Sequence, residues 1–340
     1  MEVVGADDPA ARTGARAHAG AAGSSPEILV LAGGTGGAKL ARGALDVVGP
    51  ERLTVIANTG DDIEIYGAHV SPDPDLVSFW LGDAIDERGW GLRDDTFTVM
   101  DELRARGEDV WFNLGDRDLA WCVERARLLA QDGLSPTAAL ARLNGAIGVR
   151  ARVLPMCDEP VRTWIRHAGA WLPFQEFMIR ARGAGPVEGV ELRGIERARP
   201  TAEALAAIER ASAIVIGPSN PLVSIDPILA VPGMREALRR ARAPVVAVSP
   251  IVGGEVLKGP TAAFMAFAAR ELSARGVAAH YGELLDGLVG DEPPADTGDD
   301  AASGASSELP TLRIDTRMSD APARARVAGQ VLDFASSLRT

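Results

Sequence analysis

The sequence predicts an α/β fold built on a parallel sheet, and three observations predict it. Ile28 to Ala32 is a short apolar run that ends in glycines and leads into helix-like sequence, Ala38 to Val48. Leu53 to Asn58 is a second apolar run directly after it, and strand, crossover helix, strand implies a right-handed βαβ unit. The pattern returns at Ala213 to Ile216 and Val245 to Val248, where each run leads into a Gly/Pro/Ser loop and then helical sequence.

The elements between these runs have a different texture. Helices are predicted at Thr96 to Arg106, Leu119 to Gln131 and Thr137 to Leu143, with Ser135 as N-cap and Pro136 as first helical position of the third. Shorter β-like segments follow at Val153 to Pro155 and Val161 to Ile165, and residues 92–200 read as one mixed helical/β insertion in a single domain running from 27 to 340. Residues 1–26 lack periodicity and a long apolar run, so they read as a disordered extension rather than a signal peptide. Residues 291–307 are acidic with Pro, Gly and Ser and read as a mobile loop, followed by a strand at Thr311 to Ile314 and a helix at Ala323 to Leu338.

Composition bounds the function. With 46% hydrophobic and 24% charged residues among 340, the chain has the make-up of a soluble globular enzyme. A net charge of −12 argues against general attraction to nucleic acid or an anionic membrane surface, so an anionic ligand must be gripped locally. No stretch is long and apolar enough to span a membrane. Cys122 and Cys157 are too few for a disulfide framework and read as buried thiols of a cytoplasmic protein.

The stretch "LVLAGGTGGAKLARG" places Gly33, Gly34, Thr35, Gly36 and Gly37 between strand and helix, with Lys39 just inside the helix. Such a turn presents several backbone N–H groups and the positive end of a helix dipole to an anion. It is not a P-loop, since Ala38 replaces the second glycine and Leu40 the magnesium-binding Ser/Thr. Nor is it a dinucleotide fingerprint, since Lys39 stands where the third glycine belongs. A tight turn with no ligand is the competing reading.

"VIANTGDDIEIYG" puts Asn58 at a strand end and the adjacent acids Asp61 and Asp62 just beyond it. Ligands of open parallel sheets bind outside the carboxyl ends of the strands, and paired carboxylates there suit Mg²⁺, which takes oxygen ligands, waters and substrate phosphates. A solvated turn is the alternative. In "HVSPDPDLVSF", Asp75 precedes an apolar helical start and serves either a ligand or as N-cap. In "FNLGDRDLAW", Arg117 is either a planar bidentate donor or a surface arginine beside a capping turn. "IVIGPSNPLVSIDPIL" and "VVAVSPIVGGEVLKGP" supply small polar loops after apolar strands. His69 and His167 lack neighbours at metal-ligand spacing and read as structural or surface residues.

In order along the chain, GGTGGAK (33–39), NTGDD (58–62), SPDPD (71–75), LGDRD (114–118), IGPSNP (216–221), SIDPIL (224–229), VSPIVGG (248–254), KGP (258–260) and DTRM (315–318) closely resemble the 2-phospho-L-lactate transferase family of coenzyme F420 biosynthesis. The resemblance runs from about Ile28 to the C-terminus. It implies a Rossmann-like three-layer fold with a mainly parallel sheet, a homodimer and a requirement for Mg²⁺. It implies attack of the ribityl hydroxyl of the deazaflavin Fo on a guanosine diphosphate conjugate of lactate or, in actinobacterial members, enolpyruvate, with release of GMP. Mapped residue by residue, Asp75 and Arg117 would meet Fo. The glycine turn with Lys39, Asn58, Ser219 and Asn220 would hold the nucleotide and its phosphates. Asp61 and Asp62 would hold the metal. Apart from the resemblance, the chemistry of a carboxylate makes Asp62 a candidate to accept the hydroxyl proton. A sister family of nucleotide-sugar-binding regulatory proteins shares the GGTG loop, the acid pair and the glycine-proline segment and is the alternative. No residue reads the difference between the lactyl and enolpyruvyl donors.

Overall fold

The computed structural model describes residues 27–257, 259–292 and 309–338. The expected N-terminal extension, almost all of the acidic loop and Lys258 of the KGP segment lie outside the described residues.

Seven strands form the central sheet: β1 (Glu27–Ala32), β2 (Leu53–Ala57), β3 (Arg152–Pro155), β4 (Ala211–Ile216), β5 (Val245–Val248), β6 (Gly287–Gly290) and β7 (Thr311–Arg313). Their order is β7-β6-β5-β4-β1-β2-β3, and each neighbouring pair is parallel. The expected α/β class with a mainly parallel sheet is therefore what the chain forms. The chain runs outward from β1 to β3, returns across β1 to β4, and runs outward the other way. That reversal puts the topological switch point between β1 and β4, where open α/β sheets open a crevice at the strands' carboxyl ends.

Alternation along the strands explains the three layers. Ile28, Val30 and Ala32 of β1 enter one apolar cluster with α1 (Gly34–Val48), while Leu29 and Leu31 enter the cluster on the opposite face. Both sets are buried, so the run reads as continuously apolar, as a sheet covered on both faces requires. Each such Leu or Ile contributes about 1.5–3 kcal/mol by burial.

Two segments leave this sheet. Between β2 and β3 come a hairpin (Ile63–Ile65 with Ala68–Val70), then α2 (Pro72–Leu81), a helix at Thr98–Ala105, α3 (Asp116–Ala130) and a helix at Pro136–Ala146. They enclose a third apolar cluster around Phe79, Met100, Trp121 and Leu128. Between β3 and β4 comes a three-stranded antiparallel sheet with Arg162–His167 at its centre. The single insertion expected over 92–200 is thus interrupted, because Val153–Pro155 belongs to β3 and pairs with β2. An edge strand of four residues, between a helix and the next strand, carries no periodicity that assigns it to one sheet or another.

Candidate active site

The glycine turn meets the Gly217–Asn220 turn across the switch point. Gly33 is extended (φ −146°), Gly34 takes φ +61°, and α1 begins at once, four residues before the expected Ala38. A Cβ on Gly36 would lie 2.0 Å from the carbonyl oxygen of Pro218, and one on Gly37 2.7 Å from Ser219 Oγ. Close packing of two turns therefore demands those glycines, and Ser219 Oγ accepts the Gly33 N–H (3.3 Å). Ser219 is accordingly a packing residue of the crevice wall. The helix end remains anion-seeking, because the first-turn N–H groups of Thr35 and Gly36 have no acceptor within the helix.

One of those first-turn donors is already taken by a carboxylate. Asp73 Oδ1 accepts the Gly34 N–H at 2.6 Å and Asp73 Oδ2 accepts from Asn58 Nδ2 at 2.9 Å. Asn58 is fully buried; it donates further to Val223 O (3.2 Å) and accepts from Gly60 N (2.8 Å). The residue expected to touch nucleotide is an internal strut that places Asp73. Burial pushes Asp73 up to about 6 against the hydrogen bonds from Asn58 and Gly34.

Asp61 and Asp62 diverge, as adjacent residues on a turn must. Asp61 is buried, and its Oδ1 has no hydrogen-bond partner. Burial, the charge of Asp73 and that of Asp62 all raise its proton affinity well above the ordinary carboxylate range. Asp62 has both oxygens engaged: Oδ1 accepts from Ser71 Oγ (2.7 Å), and Oδ2 lies 3.1 Å from His69 Nε2. The other ring nitrogen of His69 is 3.2 Å from Glu64 Oε1. Burial opposes the charge of His69, but the hydrogen bonds to Asp62 and Glu64 outweigh it and push the ring up to about 9. His69, expected as a structural or surface residue, bridges Asp62 and Glu64. Its hydrogen bond is also the main cause that holds Glu64 down to about 2.

The residues expected to meet Fo, Asp75 and Arg117, differ in burial. Asp75 is buried, its carboxylate forked by Arg125, with Trp121 Nε1 donating to Oδ1 at 2.7 Å. Two residues apart on a helix is about 200° of rotation, so Asp73 and Asp75 face opposite sides of α2. Asp75 faces α3, where Arg125 and Trp121 hold its carboxylate. Arg117 is exposed at the start of α3 and donates to Arg93 O at 2.8 Å. Lys39 Nζ sits 5.9 Å from the Trp80 ring centroid, near the carboxyl end of α2. That contact places the Lys39 ammonium over the Trp80 ring. Asn220 keeps a ligand-facing reading, because its Oδ1 caps Leu222 N (3.0 Å) while its buried Nδ2 has no partner.

Mg²⁺ can be tested against these residues. Among the described residues, no set of three or more His, Cys, Asp or Glu is arranged to hold a metal ion. Mg²⁺ needs fewer protein ligands, since it commonly uses one or two carboxylates and fills its shell with water and substrate phosphate. Asp61 and Asp73 are two carboxylates lacking a cationic partner, one with an orphaned oxygen, so a divalent cation fits this pair better than the sequence-adjacent pair. Beside Asp61 and Asp62 opens a cleft of about 160 Å³, also lined by Arg162, Trp164, Phe174 and Gln175.

Asp73, Arg125 and His69 are the residues around the crevice that the sequence alone did not single out for a role there. The signal for Asp73 was its pairing with Asp75 at opposite helical phases. Arg125 had none, being one arginine among many on an amphipathic helix.

Comparison with known proteins agrees with the motif order. The family model described as 2-phospho-L-lactate transferase CofD matches residues 28–327. A 2-phospho-L-lactate transferase of Methanosarcina mazei is 40% identical over 266 residues, covering 78% of this chain and 87% of that protein. A phosphoenolpyruvate transferase of Thermobifida fusca is 41% identical over 327 residues, covering 92% of this chain and 98% of that protein. A solved structure of a UPF0052 family member from Bacillus halodurans shares the fold, with TM-score 0.53 and 19% identity over 81% of this chain and 84% of that one. With nearly the whole described length matched, the chain belongs to the 2-phospho-L-lactate transferase CofD family.

Proposed function

We propose that the protein transfers a phospholactyl or phosphoenolpyruvyl group from its guanosine diphosphate conjugate to the terminal ribityl hydroxyl of Fo, in coenzyme F420 biosynthesis. The hydroxyl oxygen bonds to the phosphorus carrying the three-carbon group, the bond from that phosphorus to the bridging oxygen breaks with its electron pair going to the departing GMP phosphate, and the hydroxyl proton passes to that phosphate or to water. Family membership and the names of the relatives support the reaction class. The single structural observation behind it is Asp73 capping the helix end beside the unpartnered Asp61. A phosphate approaching that helix end meets two carboxylates and needs a cation between.

Asp61 and Asp73 would hold Mg²⁺, which when bound supplies charge neutralisation at the transferred phosphate. The chain's own groups do the rest by positioning. First-turn N–H groups of α1 and the amide of Asn220 orient the nucleotide's phosphates, and Trp164 and Phe174 give the cleft beside Asp61 an aromatic wall suited to a flat ring. Arg117 stays available at the surface for the acceptor, whereas Asp75 acts through α2. Asp62, with both oxygens engaged, orients the turn and is not assigned the hydroxyl proton. The loose transition state of phosphoryl transfer asks for alignment and charge compensation more than for a strong base. The same reading carries a homodimer and a cytoplasmic location; among the described residues no helix is long and apolar enough to cross a membrane.

The test is mass spectrometry of reactions containing protein, Mg²⁺ and Fo with the lactyl or the enolpyruvyl donor in separate tubes. A new Fo phosphodiester and GMP are expected, and the productive tube names the donor. Relatives bearing the two names are 40% and 41% identical, so identity does not choose between them. Absence of product in both tubes, with binding of a nucleotide sugar, would overturn the reading in favour of a regulatory protein.

A further inference from the structure

A continuous polar chain runs along the rim of the crevice. Ser71 Oγ donates to Asp62 Oδ1 (2.7 Å), Asp62 Oδ2 meets His69 Nε2 (3.1 Å), His69 Nδ1 meets Glu64 Oε1 (3.2 Å), and Arg162 donates to Glu64 (2.7 Å). Its members come from separate elements: the turn after β2, the 63–70 hairpin, the lead into α2, and the antiparallel sheet. The hairpin geometry makes this possible. Tyr66 and Gly67 both take positive φ (53° and 74°), a two-residue turn that sets Glu64 directly opposite His69.

The backbone of His69 is fixed independently, because Arg125 donates to its carbonyl oxygen at 3.0 Å. The ring is therefore a side-chain clamp hung from an anchored strand. It joins two carboxylates that would otherwise repel each other, and the nearer of them is covalently next to Asp61. Nothing else among the described contacts holds the Asp62 side chain except Ser71.

We infer that His69 is a positioning residue for the transfer reaction: by bridging Asp62 and Glu64 it fixes the Thr59–Asp62 turn so that Asp61 presents its unpartnered oxygen to the crevice. The inference rests on the proposed function for its kinetic consequence, but its structural consequence does not. Without the clamp the turn still forms, since Gly60 is tied to Asn58 and Asp62 N–H to Thr59 O (3.3 Å), yet the Asp61 carboxylate is no longer held at one angle. Misalignment of a reacting carboxylate lowers the rate of the bound complex more than it weakens binding.

The experiment compares full-length wild type, His69→Ala and His69→Gln. Two readouts are taken, steady-state kinetics and hydrogen exchange of peptides spanning residues 58–66. The alanine variant should lose about 10-fold or more in kcat with KM for Fo little changed, the size typical of groups that orient a reacting ligand. Added imidazole should restore part of that loss. A groove of about 470 Å³, lined by Glu64, Tyr66, His69 and Leu129, opens onto the ring from outside and would admit it. Gln can still donate to Asp62 but cannot bridge to Glu64, and should fall between. Exchange should rise in the 58–66 peptides and not elsewhere. Unchanged kcat, or a loss that imidazole does not relieve in a variant of normal thermal stability, would overturn the inference. If the wild type turned over neither donor, the transferase reading would fall, and unchanged exchange at 58–66 in both variants would separately overturn the role of His69.

Discussion

Asp73 accepts the backbone N–H of Gly34 at 2.6 Å, so a carboxylate from the proline-rich segment caps the helix that follows the glycine turn. This one bond joins two motifs 39 residues apart and places a carboxylate at the amino end of α1. Under the proposed function, a phosphate brought to that helix end needs a divalent cation beside it.

The glycine turn is a packing device before it is a cradle, and Gly36→Ala tests that. The added Cβ would press on the backbone carbonyl of Pro218 at 2.0 Å, which cannot swing aside as a side chain can. We expect a loss of about 1–3 kcal/mol in urea unfolding, the usual cost of overpacking. An unperturbed midpoint would show that the two turns are not in tight contact.

Arg125 and Asp75 form a buried ion pair, each about 4% exposed. Removing one partner strands the other's charge in the interior. Arg125→Met should therefore cost about 3–5 kcal/mol, while the double variant Arg125→Met with Asp75→Leu should recover most of it. Chemical denaturation of the three proteins reads the difference, and additive losses would contradict the pairing.

Asp118 carries a pH dependence that can be isolated. Burial and the nearby charges of Asp75 and Asp95 raise its carboxyl to about 7 in the folded chain, from an ordinary value of 3.8. A raised folded value favours the folded state at low pH, and that contribution fades as pH climbs from about 4 through 7. Asp118→Asn should show a flatter melting temperature over this interval than the wild type. Parallel curves for the two proteins would remove Asp118 as the source.

Much of this architecture was legible in the sequence, for physical reasons that name the residues. Doubly covered strands read as unbroken apolar runs, so Ile28–Ala32 and Val245–Val248 announced themselves, and the loops after them marked the ligand edge. Val153–Pro155 was legible as a β-like segment but not as part of the central sheet, because its pairing with β2 is a long-range choice. Within the site, adjacency misled. Asp61 and Asp62 are neighbours in sequence yet face different partners, whereas Asp61 and Asp73 are brought together only by the fold. Lys39 is read as a phosphate ligand from its place after the glycine turn, and in the fold its ammonium also lies 5.9 Å from the Trp80 ring centroid, a contact no local motif signals. Asn58, Asp75 and Ser219 make internal hydrogen bonds that no local sequence pattern announces, since their partners come from distant segments.

The most direct measurement compares wild type with Asp73→Asn for formation of the Fo phosphodiester under saturating Mg²⁺. Asn can still accept the Gly34 N–H but removes the charge, so the helix stays capped while the cation loses a ligand. We expect kcat to fall by about 100-fold or more, the scale of losing one charge-stabilising group at a transferred phosphate, with the fold retained by circular dichroism. Turnover at the wild-type rate by Asp73→Asn would contradict the claim that the Asp61 and Asp73 carboxylates together hold the cation against the substrate's phosphates.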